Sequence, residues 1–221
     1  MSTNIYQTVD NRSDGIYTVG IDFITGKGLI LLTKKIPLRS MLLISLFAAL
    51  TAVGAFIKIP TPIVPFTLQF FFCTFAGLLL GGRYGLYSQL LYIFIGLIGL
   101  PIFAGGGGPA YVLQPTFGYL LGFAICSFIV GQYAATALKL SFIRLFSVIT
   151  GGLLALYIAG VGYLYFILHF YLAKDLSLYQ AIAIGFLPYI TFDLLQSAAI
   201  AYIALRILPI LRKNGFLPEN K

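Results

Sequence analysis

Apolar residues in this chain neither alternate nor keep to one helical face; from Leu38 to Ile210 they form long stretches broken only by short clusters of Pro, Gly and charge. A segment that is apolar on every side belongs either to the centre of a large protein or to a lipid bilayer. About 20 such residues in a helix cross the ~30 Å hydrocarbon layer. The pattern predicts six crossings, at residues 38–57, 66–81, 84–100, 116–138, 145–170 and 190–209. The expected fold is all-α: a polytopic membrane protein of six transmembrane helices occupying residues 36–212. A polar extension, residues 1–35, precedes this domain and a short tail, residues 213–221, follows it.

The breaks between apolar runs have distinct chemistry. The first, residues 58–65, reads KIPTPIVP, and its three prolines force an extended path. The third contains Gly105, Gly106, Gly107 and Gly108 followed by Pro109. The fifth holds Lys174 and Asp175, then an apolar stretch up to Phe186 and Pro188, which predicts a short interfacial helix before the last crossing. Ala48 and Ala52, four residues apart in the first run, put two small side chains on one helix face, as close helix packing requires. Their partner is either another helix of this chain or a second protein. Gly151, Gly152, Gly160 and Gly162 in the fifth run fit internal packing.

Composition excludes a soluble domain: 60% of the 221 residues are hydrophobic and 9% charged, where soluble domains carry roughly a quarter charged residues. The mean hydropathy is +0.98. A net charge of +8 does not indicate nucleic acid, because twelve of the fourteen Lys and Arg residues sit at the ends of apolar runs. They instead orient the chain. Lys34, Lys35, Arg39, Arg83, Lys139, Arg144, Arg206, Arg212, Lys213 and Lys221 fall on one side of a six-crossing chain, and only Lys58 and Lys174 on the other. Positively charged short loops stay in the cytoplasm, which places both termini inside and the proline and glycine connections outside. Neither a disulfide framework nor a CxxC metal site is expected from the two cysteines, Cys73 and Cys126. No cleavable leader is expected in the first 30 residues, which have no apolar stretch ending in small residues. Gly20, Gly26, Lys27 and Gly28 lack the spacing of a phosphate loop.

Candidate chemistry centres on Asp193, the only acidic residue inside a predicted crossing. An ionisable group at that depth marks a functional site unless it merely answers the positive end of its helix. Gln196, three residues on, and Tyr189, four residues back, share its face and add an amide and a phenol. Such a face suits a neutral polar heterocycle bearing N–H groups. The glycine run is either a plain connector or a place where backbone N–H groups receive an anion. Gln69, near the outer end of the second run, needs a polar partner, from either a helix or a ligand. His169 is the only histidine, so no multi-histidine metal site is available, and its place near a boundary suits an interfacial side chain.

Residues 64–122 contain VPFTLQ, LYIFIGLIGLP, IFAGGGG and QPTFGYLLGF, and PYITFDLLQ follows at 188–196. In this order the pieces resemble the signature of the BioY family, the biotin-specific S components of energy-coupling-factor (ECF) transporters, over residues 40–209. The resemblance implies a six-helix S component in the bacterial inner membrane that captures biotin from outside. It would work with a transmembrane coupling protein (EcfT) and ATPase subunits, without enzyme activity and without a cofactor. By motif position it assigns the pocket to Gln69, Gly105, Gly106, Gly107, Gly108, Tyr111, Thr116, Tyr119 and Asp193, and it assigns Ala48 and Ala52 to the surface that meets the coupling protein.

Two positions depart from the family pattern: Gln196 stands where an Asp-x-x-Lys turn has lysine, and Phe117 replaces the first glycine of PTGGYL. Gln196 offers a neutral hydrogen bond of roughly 1 kcal/mol where a lysine would offer about 1.5–3 kcal/mol. In the expected pose the ureido N–H groups of biotin meet Asp193, Gln196 meets its carbonyl, and the tail carboxylate lies near Lys58 or the glycine N–H groups. Competing readings are an S component for another vitamin, a solitary carrier, an intramembrane protease and an assembly subunit without a ligand. The protease reading lacks a nucleophile paired with a base, since His169 has no GxSxG serine to serve.

Overall fold

Pro37 opens the first long helix: its carbonyl accepts the N–H of Met41 at 3.1 Å, and α1 runs Leu38–Phe56. In the computed structural model, residues 6–11, 15–20, 33–34, 36–61, 63–137 and 141–214 are described. The chain divides into two units, Met1–Leu43 and Ile44–Lys221. In the first, β1 (Tyr6–Asn11), β2 (Gly15–Gly20) and β3 (Thr33–Lys34) form an antiparallel sheet in that order. Tyr6 pairs with Gly20, and Tyr17 with Lys34.

The second unit is helical apart from one small hairpin. After α1, β4 (Lys58–Ile59) pairs antiparallel with β5 (Phe66–Thr67). The crossing predicted at 66–81 is corrected by this pairing: Phe66 and Thr67 are strand, and α2 spans only Gln69–Leu80. Gly81 at φ 80°, a value that L side chains rarely adopt, turns the chain into α3 (Gly82–Leu97). At ~1.5 Å per residue, α2 and α3 are about 18 and 24 Å long, each shorter than the bilayer core.

A 3₁₀ turn at Pro109–Leu113 leads to α4 (Phe117–Thr136). Ser141 caps α5 (Phe142–Phe166), accepting from the Arg144 N–H at 3.4 Å, and a π-helical turn, Ile167–Tyr171, ends it. The expected short helix is present as α6 (Leu178–Gly185), started by a capping box in which Ser177 and Gln180 satisfy each other's backbone N–H groups. The last helix, α7 (Leu187–Lys213), begins before Pro188 and not after it. Proline has no N–H and is tolerated there because an N–H in the first turn would have no intrahelical carbonyl to meet. Among the described residues, four helical stretches are long and apolar enough to cross a membrane: Leu38–Phe56, Phe117–Thr136, Phe142–Tyr171 and Leu187–Leu211.

Along α5 the buried positions Leu145, Ile149, Leu153, Leu156, Gly160 and Leu164 recur every three or four residues. That stripe faces the other helices, while Ile158 on the same helix is 76% exposed. An exposed isoleucine costs nothing against lipid tails, which explains a helix apolar on all sides. Helices α2, α3 and α4 approach to backbone contact. A Cβ on Gly77 would lie 2.3 Å from the Ser127 carbonyl oxygen, and one on Gly131 would lie 2.5 Å from the Gly82 nitrogen. Gly152 and Gly160 pack on α4 as expected, whereas Gly151 and Gly162 face open space. Cys73 and Cys126 are both fully buried, with the Thr74 hydroxyl 3.9 Å from each sulfur.

Candidate functional site

A cavity opens among the hairpin, the glycine-bearing connection and helices α2, α4, α5 and α7. The hairpin contributes Phe66 and Thr67, and packing on α7 fixes its position: the Phe66 ring lies 4.5 Å from that of Tyr189 and 5.3 Å from that of Phe192. The Thr61 and Tyr189 hydroxyls, 3.0 Å apart, tie the hairpin loop to the same helix. Gly54 seats the start of α2, because its carbonyl accepts the Leu68 N–H at 3.1 Å and a Cβ there would meet the Gln69 nitrogen at 3.0 Å.

The polar wall is Asp193. Its Oδ2 accepts from the Tyr157 hydroxyl, and its Oδ1 accepts from Gln196 Nε2 at 3.1 Å. Each carboxylate oxygen carries two acceptor sites, so one on each remains for a ligand. Gln69, 3% exposed, donates through Nε2 to the Tyr92 hydroxyl at 2.8 Å and accepts at Oε1 from Thr67 at 3.1 Å. The Tyr92 hydroxyl donates in turn to the Ile102 carbonyl at 3.1 Å. Tyr111 and Thr116 join hydroxyls at 3.2 Å. Tyr119 lines the cavity with its ring while its hydroxyl reaches the Gly185 carbonyl at 2.8 Å, crossing α5 at the notch left by Gly160. Phe70, Phe123 and Leu156 supply apolar wall. A ligand complementary to this space has an apolar body and at least one N–H or O–H donor facing Asp193.

Gln69, Tyr111, Thr116, Tyr119 and Asp193 all border the cavity. Gln196 does not. It lies 7% exposed behind Asp193, and its second polar atom, Oε1, has no partner among the described residues. Its amide holds the carboxylate, where the expected pose has it meet a ligand carbonyl.

Gly105, Gly106, Gly107 and Gly108 also stand off the wall, which the adjoining Ala104 lines. They shape the loop. Gly106 and Gly108 have φ of 119° and 102°, and a Cβ on Gly107 would lie 2.1 Å from the Leu100 carbonyl oxygen. The Gly106 N–H bonds the Phe103 carbonyl at 3.1 Å and that of Gly108 bonds the Gly96 carbonyl at 2.7 Å, so neither is open to an anion.

Ala48 is 4% exposed and Ala52 packs half-buried against the same core. His169 is half-buried, with its ring stacked 5.2 Å from that of Tyr165. Sequence reasoning missed Tyr157 and Tyr92. Their signal was a phenol in an apolar helix, which needs a hydrogen-bond partner when buried.

Comparison with known proteins gives concordant results. The sequence model of the BioY family matches residues 30–213. The chain is 48% identical over 182 residues to a probable biotin transporter BioY of Lysinibacillus sphaericus, an alignment covering 81% of this chain and 91% of that one. It is 40% identical over 171 residues to the biotin transporter BioY of Thermotoga maritima, covering 77% and 96% of the two chains. A solved S-component for biotin from an ECF-type ABC transporter superposes with a TM-score of 0.66 at 23% identity, covering 77% of this chain and 91% of that chain, which establishes the shared fold.

Proposed function

This chain belongs to the BioY family, and from that premise we propose that it is a multi-pass membrane protein that binds biotin and mediates its uptake as the S component of an ECF transporter. It is a transport protein and not an enzyme. The observation that carries the reading is Asp193, a carboxylate held by two neutral donors on the wall of an otherwise largely apolar cavity. Biotin fits this chemistry. Its fused ring presents two N–H groups to the open acceptor sites, and its sulfur ring and aliphatic chain suit Phe70, Phe123 and Leu156.

In this reading α1 to α5 and α7 are the six crossings, α6 lies at the interface, and the basic residues hold both termini in the cytoplasm of a bacterial cell. The coupling protein and ATPase subunits complete the transporter. Because Ala48 points inward, Leu42, Leu46 and Val53 on the exposed face of α1 are the positions such a partner would meet.

Titration calorimetry on the detergent-purified chain tests the assignment, with desthiobiotin, lipoate and thiamine as competitors. Biotin is expected to bind and lipoate and thiamine to leave it in place; a chain that binds thiamine or lipoate in preference to biotin overturns the reading. Tyr157→Phe removes one donor from Asp193 while keeping the ring, and is expected to weaken biotin binding by about five- to tenfold, the equivalent of roughly 1 kcal/mol. An unchanged affinity would show that the Tyr157 hydroxyl plays no part in holding the carboxylate.

A further inference from the structure

Among the described residues that line the cavity there is no lysine, arginine or histidine, and Asp193 is the one acidic side chain. A ligand ending in a carboxylate must therefore place that end away from Asp193 and find its counter-charge beyond the wall. One cation is tied directly to the wall. Lys58 lies on β4, where its backbone pairs with Thr67 of the lining. Its ammonium donates to the carbonyl of Ala104, the lining residue of the glycine-bearing connection. The side chain is exposed and spans the two connections that border the cavity.

Resting on the biotin reading above, we propose that Lys58 is a specificity residue that reads the acid end of the ligand. An ammonium has three donors and no acceptor. One is engaged by Ala104, and the remaining two face a tail carboxylate that emerges between the hairpin and the glycine loop. The same ion then does two things: it closes one connection onto the other, and it makes that closure more favourable when an anion is present. Charge-assisted bonds are about twice as strong as neutral ones, so an uncharged tail end is bound less well. Because Lys58 is exposed, the preference must also weaken as salt screens it.

Calorimetry with biotin and with biotinamide, its neutral amide, tests this on the purified full chain. The wild-type chain is expected to prefer biotin by about tenfold, Lys58→Met to bind both probes equally, and Lys58→Arg to keep the preference. Added salt should shrink the wild-type preference and leave Lys58→Met unaffected. A preference that survives in Lys58→Met, or a wild-type chain indifferent between the two probes, overturns the proposal. If Lys58→Met loses biotinamide as strongly as biotin, Lys58 is only a tie between loops and the proposal again fails. A wild-type chain that binds neither probe overturns the biotin reading itself, and this proposal with it.

Discussion

Asp193→Ala is expected to lower the affinity for biotin at least about 100-fold, measured by titration calorimetry on the purified chain. A hydrogen bond to a charged group contributes about 1.5–3 kcal/mol. Two ureido N–H groups on the open sites of Asp193 therefore contribute about 3–6 kcal/mol, and each 1.4 kcal/mol is tenfold. Alanine also strands the Tyr157 hydroxyl and the Gln196 amide, whose present acceptors are the two carboxylate oxygens. Part of the loss will then appear as reduced stability, which thermal unfolding reads separately. Asp193→Asn isolates the binding term: size is kept, but one oxygen becomes an NH₂ that faces a donor, either a protein donor or biotin. Comparable loss of affinity with nearly unchanged unfolding is expected. If either variant binds biotin like the wild type, Asp193 does not grip the ligand.

A large effect on stability is expected far from the cavity wall, at Gly131. An alanine Cβ there would lie 2.5 Å from the Gly82 nitrogen, 2.6 Å from the Gly81 carbonyl carbon and 2.7 Å from the Gly77 oxygen. All three are backbone atoms at the junction of α2 and α3, so no side chain can rotate away to make room. Overpacking costs about 1–3 kcal/mol where the surroundings relax, and more where they do not. The matched control is Gly151→Ala on α5, where an added Cβ meets nothing within 4 Å. That substitution is expected to be neutral or slightly stabilising, since alanine favours a helix over glycine by about 1 kcal/mol. Unfolding midpoints in detergent should separate the two by several degrees. If they coincide, the backbone crossing of α2, α3 and α4 is looser than these distances require.

The long crossings α1, α4, α5 and α7 were legible because their apolar runs are long enough to admit no other reading. The start of α2 was not. Phe66 and Thr67 look as suitable for a helix as the Phe-rich run after them, and only their pairing with Lys58 and Ile59 makes them strand. A two-residue strand has no periodicity to read. Asp193 stood out as the one acid in an apolar segment, but its partner Tyr157 lies 36 positions away and resembles any interfacial tyrosine. Gln196 was placed on the correct turn. Whether its amide aims at the carboxylate or at the cavity is a matter of rotamer, which spacing along a helix does not fix. The glycine run was recognisable as non-helical, whereas the use of its N–H groups depends on carbonyls of Gly96 and Phe103 that only folding brings near.

Both thiols of this chain are sealed in its interior, and it contains no tryptophan. A maleimide dye added to the folded protein therefore meets no native sulfhydryl, and an indole introduced by mutation emits without background. The exposed Ile59 at the hairpin and the loop carrying Ala104 could each take one such probe, so that the gap between them is followed by fluorescence as ligand enters. The same burial that makes the two sulfurs chemically silent thus leaves the mouth of the cavity open to direct optical observation in an otherwise native sequence.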